Sequence, residues 1–189
     1  FDICKLALKL ERKFNPLTGQ QDTYGCGVGG FKRITFTKNE DPSFEYLNCD
    51  FLSQFDIHLL YTGKSRGSTS ILKSIDVKKL TGIVELVNVM HQSVLEDDDA
   101  TFFEIINEGW DKKKQSSPLI LNNDELLAID NILEASSGVL AHKLCGAGGG
   151  GHFLIFCKKG ESLPLLPNSL NKMATKITIS LDGLSSFVI

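Results

Sequence analysis

Five of the six residues from 146 to 151 are glycine, and the sixth is Ala147. Neither a helix nor a strand accommodates that density, because each glycine gives up much conformational freedom and offers no side chain to bury. What the run does permit is a loop at positive φ whose backbone comes very close to something else. Successive amides in such a loop can form a concave anion site. A hairpin turn or close packing against a neighbour is the plainer reading of a single glycine. At this density a functional loop is the expectation.

The residues that follow decide which kind of loop it is. Gly146, Gly148 and Gly151 satisfy Gly-x-Gly-x-x-Gly, but that dinucleotide fingerprint requires a helix directly after the glycines. Here His152-Phe153-Leu154-Ile155-Phe156-Cys157 follows, a short apolar run of strand length and strand composition. A Walker loop fails as well, since His152 stands where Lys-Ser or Lys-Thr is required.

The rest of the 189-residue chain reads as an ordinary globular protein, 42% hydrophobic and 23% charged, which excludes a disordered chain. No apolar run approaches the roughly 20 residues needed to cross a bilayer. The formal net charge is −3 and the basic residues are scattered, so the concentrated positive field that nucleic-acid binding requires is missing. A small-molecule partner is expected, with neither nucleic acid nor membrane. Cys4, Cys26, Cys49, Cys145 and Cys157 are odd in number and widely spaced, without a Cys-x-x-Cys pair. That pattern suggests neither a disulfide framework nor a zinc site, and reduced thiols in a cytoplasmic protein fit it best. His142 and Cys145 lack a second pair to complete a metal site and read as structural.

Along the chain, Ile3, Leu6, Leu10 and Phe14 recur at helical spacing from the start, with Ala7 beside them. Position 1 is Phe and that period is already running, so the chain is expected to be a fragment or a processed product. Asn15-Pro16-Leu17-Thr18-Gly19 reads as a loop, and segment 20–30 as a glycine-rich turn around Asp22. Strands are expected at 31–37, 44–47 and 55–61, then helices from 68 to about 114. A further helix covers 124–135, with Asn122 or Asn123 as its N-cap. Extended segments follow at 138–144 and 152–157, a loop or broken helix between Pro164 and Pro167, and closing strands at 177–181 and 185–189. This order predicts an α+β fold, helices packed on one face of a mainly antiparallel sheet, with a domain boundary near 39–43.

Taken together, the two glycine-rich segments resemble the GHMP kinase superfamily. Its third signature motif is a Gly-Ala-Gly-Gly-Gly-like loop leading into a strand, as at Lys143-Leu144-Cys145-Gly146-Ala147-Gly148-Gly149-Gly150-Gly151-His152-Phe153. Many members carry an Asp in a Gly-x-x-Asp turn upstream, here Gly19-Gln20-Gln21-Asp22. Gln21-Asp22-x-Tyr24, the following Gly29-Gly30-Phe31, and Tyr61-Thr62-Gly63-x-x-Arg66 are similar to the heptose-7-phosphate kinase branch. The resemblance runs the length of the chain. It departs at Thr23, where Gln is usual, and at Gly25 and Cys26, which replace small alanines. The superfamily's nucleotide loop, Gly-x-Gly-x-(Gly/Ser)-Ser-Ser, does not occur in this sequence; in relatives it lies upstream of the first helix.

The resemblance implies a fold and a chemistry. Residues 1–40 would be the remnant of a ribosomal protein S5-type amino-terminal domain, and 41–189 a ferredoxin-like GHMP carboxy-terminal domain. The activity implied is ATP-dependent phosphorylation of the anomeric hydroxyl of a heptose 7-phosphate, giving a 1,7-bisphosphate. Asp22 would be the base, Gln21 and Tyr24 would meet the sugar, and Arg66 would hold its phosphate; Arg66 reads equally as a surface arginine beginning a helix. Gly146, Ala147, Gly148, Gly149, Gly150 and Gly151 would face the nucleotide and substrate with amides towards phosphate oxygens. Mg²⁺ is implied as well, its usual ligands lying largely in the half of the family's sequence that is missing here. The run Asp97-Asp98-Asp99 reads as a solvated helix end rather than a metal cluster. The 189 residues alone are expected to be inactive. A fucokinase- or galactokinase-like sugar 1-kinase, or a non-catalytic ligand-binding relative, fits the same motifs.

Overall fold

The computed structural model describes residues 2–64, 69–164, 166 and 174–183. The chain divides into two compact units, Phe1–Cys49 with Ile179–Ile189, and Asp50–Thr178. The division falls after Cys49, where composition places it near residues 39–43. The reason is strand pairing: β1 (Lys32–Thr35) pairs antiparallel with β2 (Ser43–Tyr46), Lys32 opposite Tyr46 and Thr35 opposite Ser43.

In the smaller unit, α1 (Asp2–Phe14) buries Cys4 and Leu8 against Tyr24 of α2 (Gln21–Gly27). The helical period of α1 is as expected, but the face that packs here is not the one the period picks out. Ile3, Leu6, Leu10 and Phe14 lie on exposed positions, Phe14 at 89%. Segment 21–27 is a correction to the expected turn, for it is a short helix. Two of its residues are glycine, each costing about 1 kcal/mol in a helix. Burial of Tyr24, edge-on to Phe36 and tilted against Phe44, returns more than that. The Lys32 ammonium then sits at the carbonyl end of α2, donating to Gly25, Val28 and Gly30 carbonyls. A cation there complements the helix dipole.

The larger unit holds a four-stranded antiparallel sheet in the order β4-β5-β3-β6, formed by β3 (Phe55–Tyr61), β4 (Val139–Leu144), β5 (His152–Lys158) and β6 (Ala174–Ile177). Its helices are α3 (Thr69–Ser74), α4 (Ile83–Leu95), α5 (Asp99–Ser116) and α6 (Asp124–Glu134), so the expected α+β class holds. Helix α6 shows why: Leu126, Ile129 and Leu133 recur at helical spacing and are fully buried with Leu60, Leu144, Phe153 and Ile155. Each such side chain contributes about 1.5–3 kcal/mol. Asn123 caps α6, its Oδ1 accepting the Leu126 amide at 3.0 Å. The last described strand lies at Ala174–Ile177, earlier than the expected 177–181. Ile177 pairs with Ile57 near the start of β3, while the Leu181 carbonyl accepts the Gly30 amide within the smaller unit. The expected strand at 185–189 lies outside the described residues.

Candidate functional site

The glycine loop joins β4 to β5, the two strands that register Leu144 opposite Phe153. Its mouth is closed by the Cys145 amide on the His152 carbonyl at 2.8 Å. All five glycines are at positive φ: 68° at Gly146, 106° at Gly148, 67° at Gly149, 150° at Gly150 and 100° at Gly151. The close approach expected of them is present at two positions. A Cβ on Gly150 would stand 2.8 Å from the Lys64 carbonyl oxygen, and one on Gly148 would stand 3.0 Å from the Ile120 backbone.

Two segments grip the loop. From one side, the Thr62 amide and hydroxyl both donate to the Gly151 carbonyl, and the Gly151 amide donates to the Lys64 carbonyl at 2.9 Å. The Lys64 ammonium continues to α6, reaching the Asn123 cap at 3.2 Å and Glu125 at 3.0 Å. Tyr61 lays its ring 5.0 Å from that of His152. On the other side, the Gly149 amide donates to the carbonyl of fully buried Ile120 at 2.6 Å. Thus Tyr61-Thr62-Gly63 and the glycine loop, remote in sequence, form one assembly.

The grip also sorts the loop's amides. Those of Gly149 and Gly151 are held by protein carbonyls. The amides of Gly146, Ala147, Gly148 and Gly150 make no hydrogen bond among the described residues.

Behind the loop, α5 and α6 carry a polar cluster that sequence reading passed over. Asp130, fully buried, accepts Trp110 Nε1 at 2.7 Å, bonds His142 Nε2 at 2.8 Å and pairs with Lys114 at 3.1 Å. Burial pushes the Asp130 carboxyl up, but the bonds from His142, Trp110 and Lys114 together outweigh it and hold the group below its ordinary value. His142, read from sequence as structural, is buried with its ring on Asp130. An acid at position 130 beside the apolar stripe Leu126, Ile129 and Leu133 was the available signal, since an unpaired carboxylate is rarely buried. Lys113, Lys64 and Ile120 carried no signal; a lysine run reads as a solvated face.

In the smaller unit, Gln21 and Asp22 are exposed in the first turn of α2, and Asp22 forms neither hydrogen bond nor ion pair among the described residues. Tyr24 is placed differently from a sugar-contacting side chain. It is 2% exposed and packs with Cys4 and Leu8, because a phenol ring on a seven-residue helix is its main source of burial. Thr23 turns its hydroxyl to Glu11 at 3.4 Å. Arg66 lies outside the described residues.

Among the described residues no three His, Cys, Asp or Glu side chains converge as a metal set. Asp98 caps α5 instead, accepting the Thr101 amide at 3.1 Å and its hydroxyl at 2.6 Å. All five cysteines are free, and burial raises the Cys157 thiol to about 11. No described helix is long and apolar enough to cross a membrane.

Compared with curated proteins, the chain is 29% identical over 174 residues to the D-glycero-alpha-D-manno-heptose 7-phosphate kinase of Campylobacter jejuni, covering 82% of this chain and 49% of the relative. Among solved structures it matches L. major mevalonate kinase in complex with R-mevalonate, with TM-score 0.57 and 17% identity over 75% of this chain and 44% of that one. The chain therefore resembles the carboxy-terminal fold of the GHMP kinases. The chain is also similar in fold to Lactococcus lactis galactokinase complexed with galactose, with TM-score 0.52 and 14% identity over 75% of this chain and 47% of that one. The expected resemblance to the GHMP kinases therefore holds in sequence and in fold. No family model matches the chain. The chain spans about half the length of the curated relative.

Proposed function

We propose that the complete protein is a GHMP-type sugar kinase that phosphorylates the anomeric hydroxyl of a heptose 7-phosphate. The observation that carries this reading is the assembly of Tyr61-Thr62-Gly63, similar to the heptose-kinase branch, with the superfamily-type glycine loop through Gly151. The 29% identity to a heptose 7-phosphate kinase supports the same substrate class.

Phosphoryl transfer asks a protein mainly for positioning and for stabilisation of charge on the transferring group. ATP with Mg²⁺, when bound, supplies the phosphoryl group. The glycine loop suits phosphate chemically: it has no side chain larger than the Ala147 methyl to block approach, and the amides of Ala147, Gly148 and Gly150 make no hydrogen bond among the described residues. Asp22 is the proposed base, a carboxylate without a partner among the described residues that can accept the proton of the attacking hydroxyl. Gln21, exposed beside it, is the proposed sugar contact, and Arg66 the proposed ligand of the sugar's own phosphate. Tyr24 acts through packing, fixing α2 and with it Asp22. The isolated 189 residues are proposed to be inactive, because the superfamily's Ser-Ser nucleotide loop does not occur in them.

The test is direct. The complete protein is incubated with ATP, Mg²⁺ and heptose 7-phosphate, with galactose and fucose as competitors, and the product is identified by phosphorus NMR. A new anomeric phosphate on the heptose is expected. Turnover of galactose or fucose alone would move the substrate class, and absence of transfer to every sugar would sink the kinase reading.

A further inference from the structure

Lys113, near the carboxy-terminal end of α5, places its ammonium under the entry to the glycine loop. It donates to the Leu144 carbonyl at 3.1 Å and to the Gly146 carbonyl at 2.6 Å. The ammonium stands 5.6 Å from the centre of the Trp110 ring, whose indole nitrogen is tied to Asp130. The lysine is thus held from below by a ring that cannot itself turn, because Asp130 is anchored by His142 and Lys114 as well.

A trans peptide directs its C=O and the following N–H in opposite senses. The grip on the Leu144 carbonyl therefore fixes the Cys145 amide, which meets the His152 carbonyl on the far side. By the same geometry, the grip on the Gly146 carbonyl turns the Ala147 amide away from Lys113. Gly146 is the most exposed glycine of the loop, and a Cβ there would find open space within 4 Å, so no packing at its Cα helps to hold its peptide plane. Without Lys113 that plane is free to rotate, since glycine allows both senses of φ.

We propose that Lys113 is a positioning residue that sets the Ala147 amide as a phosphate donor of the glycine loop. This rests on the phosphate-binding reading of that loop. Lys113 itself acts through the backbone, and its positive charge beneath the loop favours an anion above it.

The experiment compares Lys113→Met, which keeps the aliphatic stem beside Trp110 and loses both donors, with Lys113→Arg, which keeps a cation and its donors, in the complete protein. Hydrogen exchange of segment 144–151 and the dissociation constant for ATP are measured, with the KM for the sugar and Tm alongside. The Met variant is expected to exchange that segment about ten-fold faster and to bind ATP roughly ten-fold more weakly, the loss of one well-set charge-assisted donor. Its KM for the sugar stays within two-fold, roughly, since the amide faces phosphate, and Arg restores exchange and affinity. Wild-type exchange and ATP affinity in the Met variant would overturn the proposal, as would an equal loss in Met and Arg variants. A wild type that binds ATP but phosphorylates no sugar defeats the kinase reading, and the Lys113 comparison still decides. A wild type that binds no ATP defeats both.

Discussion

Thr62 donates both its backbone amide and its hydroxyl to one acceptor, the carbonyl oxygen of Gly151, at 2.9 and 3.0 Å. Thr62 is 1% exposed, so neither bond competes with water. The pair fixes the last glycine of the loop to the end of β3 and so sets where the loop begins to turn. Thr62→Val keeps the shape and the amide bond but removes the hydroxyl. It should cost about 1 kcal/mol, the net value of one hydrogen bond. A urea melt of the variant reads that difference, and an unchanged midpoint would show that the amide alone suffices.

The glycines of the loop should not be equivalent. Gly146 is at φ 68° with open space where a Cβ would go, so Gly146→Ala pays only the left-handed backbone cost, about 1–2 kcal/mol. Gly150 is at φ 150° with the Lys64 carbonyl 2.8 Å from a Cβ, and Gly148 is at φ 106° against the Ile120 backbone. There, backbone strain of about 1–3 kcal/mol combines with a clash against main chain that cannot swing aside. Thermal melts should rank Gly150→Ala and Gly148→Ala well below Gly146→Ala. Three equal values would mean that close approach plays no part.

Asp130 gives the larger unit an acid limit. Its folded value is depressed, so its contribution to stability is complete above the unfolded value of about 4 and is lost as pH falls through the folded one. Asp130→Asn removes the buried partner of Lys114, which keeps Asp111 at 2.9 Å, so the cost should stay below the roughly 3 kcal/mol of a fully orphaned buried charge. The variant should be less stable at pH 7 and show a flatter loss of stability below about pH 4 than wild type. Parallel curves for the two proteins would assign the acid limit elsewhere.

Much of this fold is legible in the sequence because one face of each element is simply patterned. Strand β3 matches the expected strand 55–61 residue for residue, and α6 begins after Asn123, one of its two expected caps. The reading fails where tertiary contacts decide. Segment 21–27 has turn composition, yet Tyr24 finds a pocket beside Cys4 and Leu8 and draws the chain into a helix. In α1 the period is visible, but nothing local tells which apolar stripe is covered. For the candidate site, the glycine loop was legible because only glycine fits it. What grips the loop was not, since Lys64, Lys113 and Ile120 act through carbonyls or a flexible amine that leave no pattern.

The prediction that bears most on chemistry concerns Asp22 in the complete protein. Its side chain lies in the first turn of α2, exposed and without a hydrogen bond or ion pair among the described residues. Removing its charge should therefore disturb the fold little, with surface changes of this kind usually within about 0.5 kcal/mol. Asp22→Asn keeps the shape and loses the proton acceptor. A positioned general base contributes about 10²- to 10⁴-fold, so kcat should fall by that order while the dissociation constant for ATP and Tm stay near wild type. The combination matters more than the size of the fall. A lower Tm with weaker sugar binding and a normal rate per folded molecule would make Asp22 structural, contrary to its exposure here. A loss of only a few-fold in kcat, with Tm unchanged, would give Asp22 the task of orienting the sugar hydroxyl and would leave the kinase reading resting on the glycine loop and its grip by Thr62.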